Sequence, residues 1–336
     1  MVTRKDVALR ANVSTSTVSR VLNGNKHVSE KAKIKVLKAI DELQYVPNQA
    51  ARGLRTKRYK QFACITPSIT NSFFSEILAG IEERSLEKGY ALSLYKIAAE
   101  KETLDILRQN LYDGLIILAP FKLREIISLE ELAKRYPLSL YWDREEEISI
   151  PHVYIDLKLS MEKAVKYLIS HGHTKIVFLG HKYHNISENP RYLGYLKAMK
   201  ENNLHVENYF INLFENYGDT LTEGYLQVKR LLDNDLSFSA VAASNDLLAA
   251  GAMRAITKSG KKVATDISVI GMDNIELSNM ITPPLTTINI PKYEIGVALV
   301  NQLLDQIGGK QQFNKIVKFN VNLIERESVA IVGVIS

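Results

Sequence analysis

The sequence predicts an α/β protein in which a small all-helical N-terminal module precedes two doubly wound parallel-sheet lobes. Three observations predict it. Apolar residues recur at helical spacing in three short stretches before Pro47, short apolar strands alternate with amphipathic stretches beyond Lys60, and charge is divided unevenly between these regions. At 336 residues the chain needs more than one core.

The first stretch starts at Thr3, an N-cap with Asp6 three residues on, and carries Val7, Ala8 and Ala11 on one face. Asn12-Val13 turns the chain and Ser14 caps a second helix, whose buried stripe is Val18, Val21 and Leu22 and which Asn23-Gly24 ends. Ser29 caps a third, expected to face Ala32, Val36, Leu37, Ile40 and Leu43 inward until Pro47 stops it. Two short helices joined by a tight turn and braced by a third form a helix-turn-helix. Thr15, Ser16, Thr17, Ser19 and Arg20 occupy the other face of the second helix. Small hydroxyls and a guanidinium suit a major groove about 12 Å wide, where Arg reads guanine bidentately. Residues 1–60 carry 14 Lys and Arg against 4 Asp and Glu, a local +10 within a chain of +6, so the remainder is −4. A basic module for a polyanion attached to a mildly acidic body is implied.

Asn48 caps one or two turns carrying Ala51, Arg52, Leu54 and Arg55. A helix this short with Gly53 inside is marginal alone, so it orders only on binding. Leu54 between arginines has the character of a wedge for the minor groove.

In the body, strands are expected at residues 62–66, 91–95, 115–118, 138–142, 176–179, 240–243 and 269–271, with helices between them. These units exceed one ordinary sheet, and a division near Asp156 to Lys158 gives two similar lobes. Open α/β sheets bind ligands beyond the carboxyl ends of their strands. The residues there are polar: Pro67 to Phe74, Asp143-Arg144, Asn245-Asp246 and Asp273-Asn274, with Arg191 after a further strand. Acids and amides with Phe73, Phe74 or Trp142 nearby suit a neutral polyhydroxyl ligand. Helix capping is the competing role for Asn245 and Asp246.

Lys5-Asp6-Val7-Ala8, residues 13–23, Tyr45-Val46-Pro47-Asn48 and Ala51-Arg52-Gly53-Leu54 closely resemble the LacI/GalR regulators. The resemblance continues through Asp143-Arg144, Ser170-His171-Gly172-His173, Arg191 to Tyr195, Ser244-Asn245-Asp246, residues 270–274 and Pro283-Pro284-Leu285-Thr286-Thr287. It implies a helix-turn-helix domain over 1–47, a hinge helix over 48–58 and a periplasmic-binding-protein-like sensing and dimerisation domain over 59–336. Its N-lobe is expected over 59–156 and 290–319, its C-lobe over 157–289 and 320–336. The implied DNA contacts are Thr3, Ser14, Thr15, Ser16, Thr17, Ser19, Arg20, Asn23, Asn48, Ala51, Leu54 and Arg55. The implied ligand set is Asn71, Phe73, Phe74, Asp143, Arg191, Thr220, Asn245 and Asp273. Two departures stand out: Asn71-Ser72-Phe73-Phe74 replaces a common Asn-Pro-Phe, and Thr220 stands where some sugar-binding members carry a stacking Trp.

The resemblance implies a homodimeric repressor of carbohydrate-utilisation genes that leaves a pseudopalindromic operator when a sugar binds. The alternative is a regulator that needs a purine or phosphorylated metabolite as corepressor. Other classes fit poorly. No Gly-x-Ser-x-Gly elbow or phosphate loop indicates an enzyme, Cys64 sits mid-strand, and His171, His173, His181 and His184 read as loop histidines rather than metal ligands, so neither metal nor cofactor is expected. A transport binding protein would need an export signal, and the polar, basic N-terminus offers none. A cytoplasmic protein without membrane spans is expected.

Overall fold

A computed structural model of the chain describes residues 2–22, 27–46, 58–97, 105, 111–124, 126–144, 147–181, 188–206, 211–214, 220–310 and 312–333. Two compact units result, Met1–Tyr59 and Lys60–Ser336.

In the first unit, α1 (Arg4–Ala11) opens with a full capping box between Thr3 and Asp6 and ends at Asn12, whose φ of 50° is left-handed. The second helix, α2 (Thr15–Leu22), starts beneath Ser14, whose Oγ accepts the Thr17 N–H at 3.1 Å. Ser29 caps α3 (Glu30–Glu42) by accepting from Ala32 N at 3.3 Å. Val7, Ala8, Ala11, Val18, Val36 and Ala39 close a small core. Two expectations for α3 need correction. Leu37 is 50% exposed, because Val36 and Ala39 already fill the space facing α1. The helix also stops at Glu42 rather than at Pro47: Gln44 takes a left-handed φ of 48°, and Tyr45 folds back so that its N–H reaches Ile40 O at 2.9 Å. Tyr45 thereby joins the core, a role for which the helical spacing gave no signal.

The second unit is doubly wound. Its first half runs β1 (Gln61–Thr66), α4 (Ser72–Glu87), β2 (Ala91–Lys96), β3 (Gly114–Ile117), α5 (Pro120–Arg124), α6 (Leu129–Arg135), β4 (Leu138–Trp142) and β5 (His152–Ile155). The chain then crosses into α7 (Leu157–Ser170), β6 (Ile176–His181), α8 (Pro190–Glu201), β7 (Ile211–Phe214), α9 (Thr220–Asp233) and β8 (Ala240–Ala243). It continues through α10 (Asp246–Lys258), β9 (Ser268–Asp273), α11 (Glu276–Met280) and β10 (Thr286–Asn289). It returns for α12 (Lys292–Ile307) and β11 (Ile316–Phe319), and finishes at β12 (Asn322–Ile324). One sheet has the order β11-β5-β4-β3-β1-β2 and the other β12-β10-β9-β8-β6-β7. Every pairing is parallel except that of β12 with β10.

The strands β5, β7, β10, β11 and β12 were not expected from the apolar runs. They are short, and β11 and β12 lie at sheet edges where their side chains stay exposed or half-buried. Helices α4 and α12 meet almost backbone to backbone. A Cβ on Gly80 would sit 2.2 Å from Tyr293 O, and one on Gly296 would sit 2.2 Å from Ile77 O. Trp142 is not available to cover a ligand ring: it is fully buried on the outer face of the first sheet, with its ring 4.6 Å from that of Phe121. Cys64 is buried mid-strand, and burial pushes its thiol pKa up. No helix among the described residues is long and apolar enough to cross a membrane.

Candidate nucleic-acid interface and effector cleft

The polar face of α2 is displayed as its spacing requires. Val18 is buried, Thr15, Ser16 and Arg20 are exposed, and Thr17 and Ser19 are half-buried. Ser14 organises this face from its start. Besides capping Thr17 N, its Oγ lies 2.7 Å from Ser16 Oγ and 2.9 Å from Thr17 Oγ1. Thr3 is exposed but engaged, donating to Asp6 Oδ2 at 2.7 Å, and that bond holds the Asp6 carboxyl below its usual range. Glu42 is turned toward Arg10 at 2.5 Å and Lys38 at 3.9 Å, so an acid of this unit is neutralised away from α2. Asn23, Asn48, Ala51, Leu54 and Arg55 lie outside the described residues, and so does the hinge assigned to them.

In the body, the candidate ligand residues collect where strands end. Asp143 follows β4, and its buried Oδ1 has no hydrogen-bond partner among the described residues. Burial raises its pKa, while the charges of Arg191 and Arg144 pull it down. Arg191 stands in the first turn of α8, which Asn189 caps by accepting from Tyr192 N at 3.2 Å. The electrostatic pairing of Asp143 with Arg191 therefore joins the carboxyl end of the first sheet to the start of a helix on the second. A second such link runs beside it: Arg144 Nη1 bonds Glu188 Oε2 at 3.1 Å while its guanidinium lies 3.6 Å from the Phe121 ring centroid.

Asp273 ends β9 and is 5% exposed. Its backbone φ of 116° and the 54° of Asn274 put two successive residues in left-handed territory. Such conformations cost roughly 1–3 kcal/mol each and persist only where surrounding contacts enforce them. Enforcement is visible here. Asp246 Oδ2 accepts from Ile275 N at 2.9 Å, Arg326 Nη2 donates to Asn274 Oδ1 at 2.7 Å, and Asn274 Nδ2 donates to Asn289 Oδ1 at 2.9 Å. The turn leaves Asp273 Oδ1 buried and without a hydrogen-bond partner among the described residues. Desolvation, with the Asp246 charge added, holds this carboxyl well above the usual range, and Arg191 and Lys292 oppose the rise. Asp246 is itself pushed up to about 7, chiefly by desolvation, despite its bond from Thr287 Oγ1 at 2.5 Å.

The other candidates have visible structural duties. Asn245 caps α10, accepting from Leu248 N at 2.8 Å, so the capping role weighed for it is real; Asp246, the first residue of that helix, serves the Asp273 turn instead. Asn71 caps α4 by accepting from Phe73 N at 3.0 Å. Phe73 is buried, with its ring edge-on to Phe74 at 5.1 Å and to Tyr141 at 5.9 Å, and Phe74 is only partly buried. Thr220 begins α9. One residue absent from the expected set belongs with it. Ser244, 2% exposed, extends β8 beyond Ala243, which is in register with Leu179 of β6, and its Oγ has no hydrogen-bond partner among the described residues. Its position directly before Asn245 at a strand end was the available signal.

Comparison with known proteins agrees with this architecture. Residues 3–48 match the bacterial regulatory proteins of the lacI family, and residues 165–329 match a periplasmic binding protein-like domain. The chain is 34% identical to the HTH-type transcriptional repressor PurR of Pectobacterium atrosepticum over 98% of this chain and 97% of that one. Its structure resembles the lac repressor dimer bound to operator and the anti-inducer ONPF, with a TM-score of 0.83 at 28% identity, covering 98% of this chain and 99% of that one. It also resembles a LacI family transcriptional regulator of Enterococcus faecium with bound ribose, with a TM-score of 0.69 at 26% identity, covering 81% of this chain and 99% of that one. The helix-turn-helix and the two-lobed parallel-sheet body define a DNA-binding transcription regulator rather than an enzyme. The chain belongs to the LacI family of bacterial regulatory proteins, as a transcriptional repressor.

Proposed function

We propose that this repressor holds a pseudopalindromic operator as a homodimer in the cytoplasm and is released by a neutral sugar bound between its lobes. The observation that carries the effector reading is a set of buried atoms without hydrogen-bond partners among the described residues, Asp143 Oδ1, Ser244 Oγ and Asp273 Oδ1. Buried polar groups ordinarily find partners, and leaving one unsatisfied costs about 1–3 kcal/mol. Two acceptors and a hydroxyl flanking Arg191 suit vicinal hydroxyls, which donate to carboxyls and accept from a guanidinium. A phosphorylated effector would bring negative charge to a cluster in which Asp143, Asp273 and Asp246 already resist ionisation, which disfavours the corepressor alternative in that form. The bound ribose of the Enterococcus faecium relative agrees with a sugar.

On the DNA side, Thr15, Ser16 and Arg20 read bases, with Ser14, Thr17, Ser19, Thr3 and Asn23 at phosphates or groove edges. Residues 48–58 form the hinge, starting at Asn48, with Ala51, Leu54 and Arg55 in the minor groove. The body divides into an N-lobe of 59–156 and 290–319 and a C-lobe of 157–289 and 320–336. Asn71, Phe73, Phe74, Thr220 and Asn245 complete the effector site around Asp143, Arg191 and Asp273. The test is calorimetry of the purified protein against mono- and disaccharides, their phosphates and purine bases, followed by operator titration with each binder. Sugar binding that weakens operator affinity supports the reading. Binding of a purine alone, with operator affinity strengthened, would replace it with the corepressor reading.

A further inference from the structure

Lys292 is a buried cation, 4% exposed, at the first position of α12. Helix stability does not explain it there, because the positive end of the helix dipole disfavours a cation in the first turn. Its ammonium is instead surrounded by oxygen. Nζ lies 2.5 Å from Asp273 O, 3.1 Å from Asn274 O, 3.4 Å from Ile290 O and 3.2 Å from Glu76 Oε2. Three N–H bonds shared among four acceptors satisfy a buried ammonium that would otherwise be costly to desolvate.

The origins of those acceptors matter more than their number. Asp273 and Asn274 form the left-handed turn at the end of β9 in the second sheet. Glu76 belongs to α4, which follows β1 of the first sheet and packs against α12 through Gly80 and Gly296. Lys292 is also placed just where the chain passes from β10 of the second sheet to α12. We propose that Lys292 is a positioning residue of the effector site, whose ammonium, anchored by Glu76 of its own lobe, clamps the Asp273–Asn274 turn of the opposite lobe from below. A ligand that engages Asp273 then pulls on a contact shared by both lobes, and α4 and α12 receive the displacement as one packed pair. This rests on the reading that Asp273 faces the effector, but the clamp itself is testable without any effector.

The experiment measures the separation of the lobes in the ligand-free, full-length protein, by electron–electron double resonance between spin labels at exposed Lys88 and Lys258. Glu76→Gln weakens the anchor that holds the ammonium in its own lobe, and Lys292→Met removes the cross-lobe bonds to Asp273 O and Asn274 O. Both are expected to populate a longer lobe separation, Lys292→Met the more strongly, with the open-to-closed ratio rising roughly fivefold or more. Lys310→Met, which breaks the surface pair with Asp305 near the other end of α12, should leave the distances unchanged. If Lys292→Met misfolds, Lys292→Gln, which is polar but uncharged and too short to reach the turn, decides instead. A folded Lys292 variant with the parent's distance distribution overturns the clamp, and so does the same opening in Lys310→Met. Failure of every sugar to bind would sink the effector reading and leave this result standing.

Discussion

The α2 face and the effector cleft are both built from short polar side chains, yet they treat hydrogen bonding in opposite ways. On α2, Ser14, Ser16 and Thr17 already satisfy one another in the open, and Arg20 is exposed. In the proposed effector cleft, Asp143, Ser244 and Asp273 each keep a buried polar atom without a partner among the described residues. The exposed face loses little when no DNA is present, so its affinity depends on charge and its selectivity on base edges. The proposed cleft is different: among the described residues it holds a hydrogen-bonding deficit that a ligand with matching groups would remove, and discrimination would arise there.

The sharpest way to break this comparison is Asp273→Asn. Effector binding should weaken by about 1–3 kcal/mol, the cost of leaving a buried hydrogen-bonding group mismatched. The ligand-free protein should unfold at a higher temperature, because a strained carboxyl repelled by Asp246 has been replaced by a neutral amide. Calorimetry and thermal unfolding read the two effects, and a less stable protein would show that the site is not under strain. Arg20→Ala tests the other region. Operator affinity should fall by about 1–3 kcal/mol if the guanidinium makes a bidentate base contact, with no gain in thermal stability. A change in salt dependence alone, with sequence preference intact, would reassign Arg20 to the phosphates. Ser244→Ala is expected to be smaller, weakening effector binding by about 1 kcal/mol and slightly stabilising the ligand-free protein. Loss of stability would mean the hydroxyl has a partner in solution.

The two regions also differed in how far the sequence revealed them. The capping residues Thr3, Ser14 and Ser29 and the stripe of Val7, Ala11 and Val18 act through neighbours three or four residues away, so spacing alone located them. Tyr45 escaped because the left-handed Gln44 folds it back onto the core, and Leu37 was misplaced because Val36 and Ala39 already fill that space. In the cleft, strand ends pointed to Asp143, Arg191 and Asp273, whereas Glu76 and Lys292 meet only through the crossover between lobes. No local pattern encodes that meeting. Trp142 shows the opposite error, since an aromatic at a strand end was free to face either side of the sheet, and here it faces the core with Phe121.

A third kind of polar site, buried and fully satisfied, gives the smallest effect and completes the contrast. His173 is buried against the C-terminal segment, with Nδ1 3.0 Å from Ser239 Oγ and Nε2 3.1 Å from Ala330 O. A carbonyl oxygen only accepts, so Nε2 carries the proton and donates it, and Nδ1 accepts from the serine hydroxyl; the ring is neutral. Protonating Nδ1 would turn that acceptor into a donor. Burial, with the nearby His171 charge, lowers the pKa below 6.5, although the Ala330 bond opposes the shift. The sign follows from linkage: where the unfolded chain binds the proton more readily, stability rises with pH. The contribution is therefore complete above 6.5 and drains away as pH falls below it toward the depressed folded-state value. His152, also lowered by burial and bonded through Nδ1 to Ile150 O, titrates in the same direction, so wild type alone does not isolate His173. His173→Gln does, since an amide makes similar bonds without titrating. Urea midpoints measured above and below pH 6.5 should fall with acid less steeply in the variant than in the parent, and identical slopes would show that the C-terminal segment is held without a titrating His173.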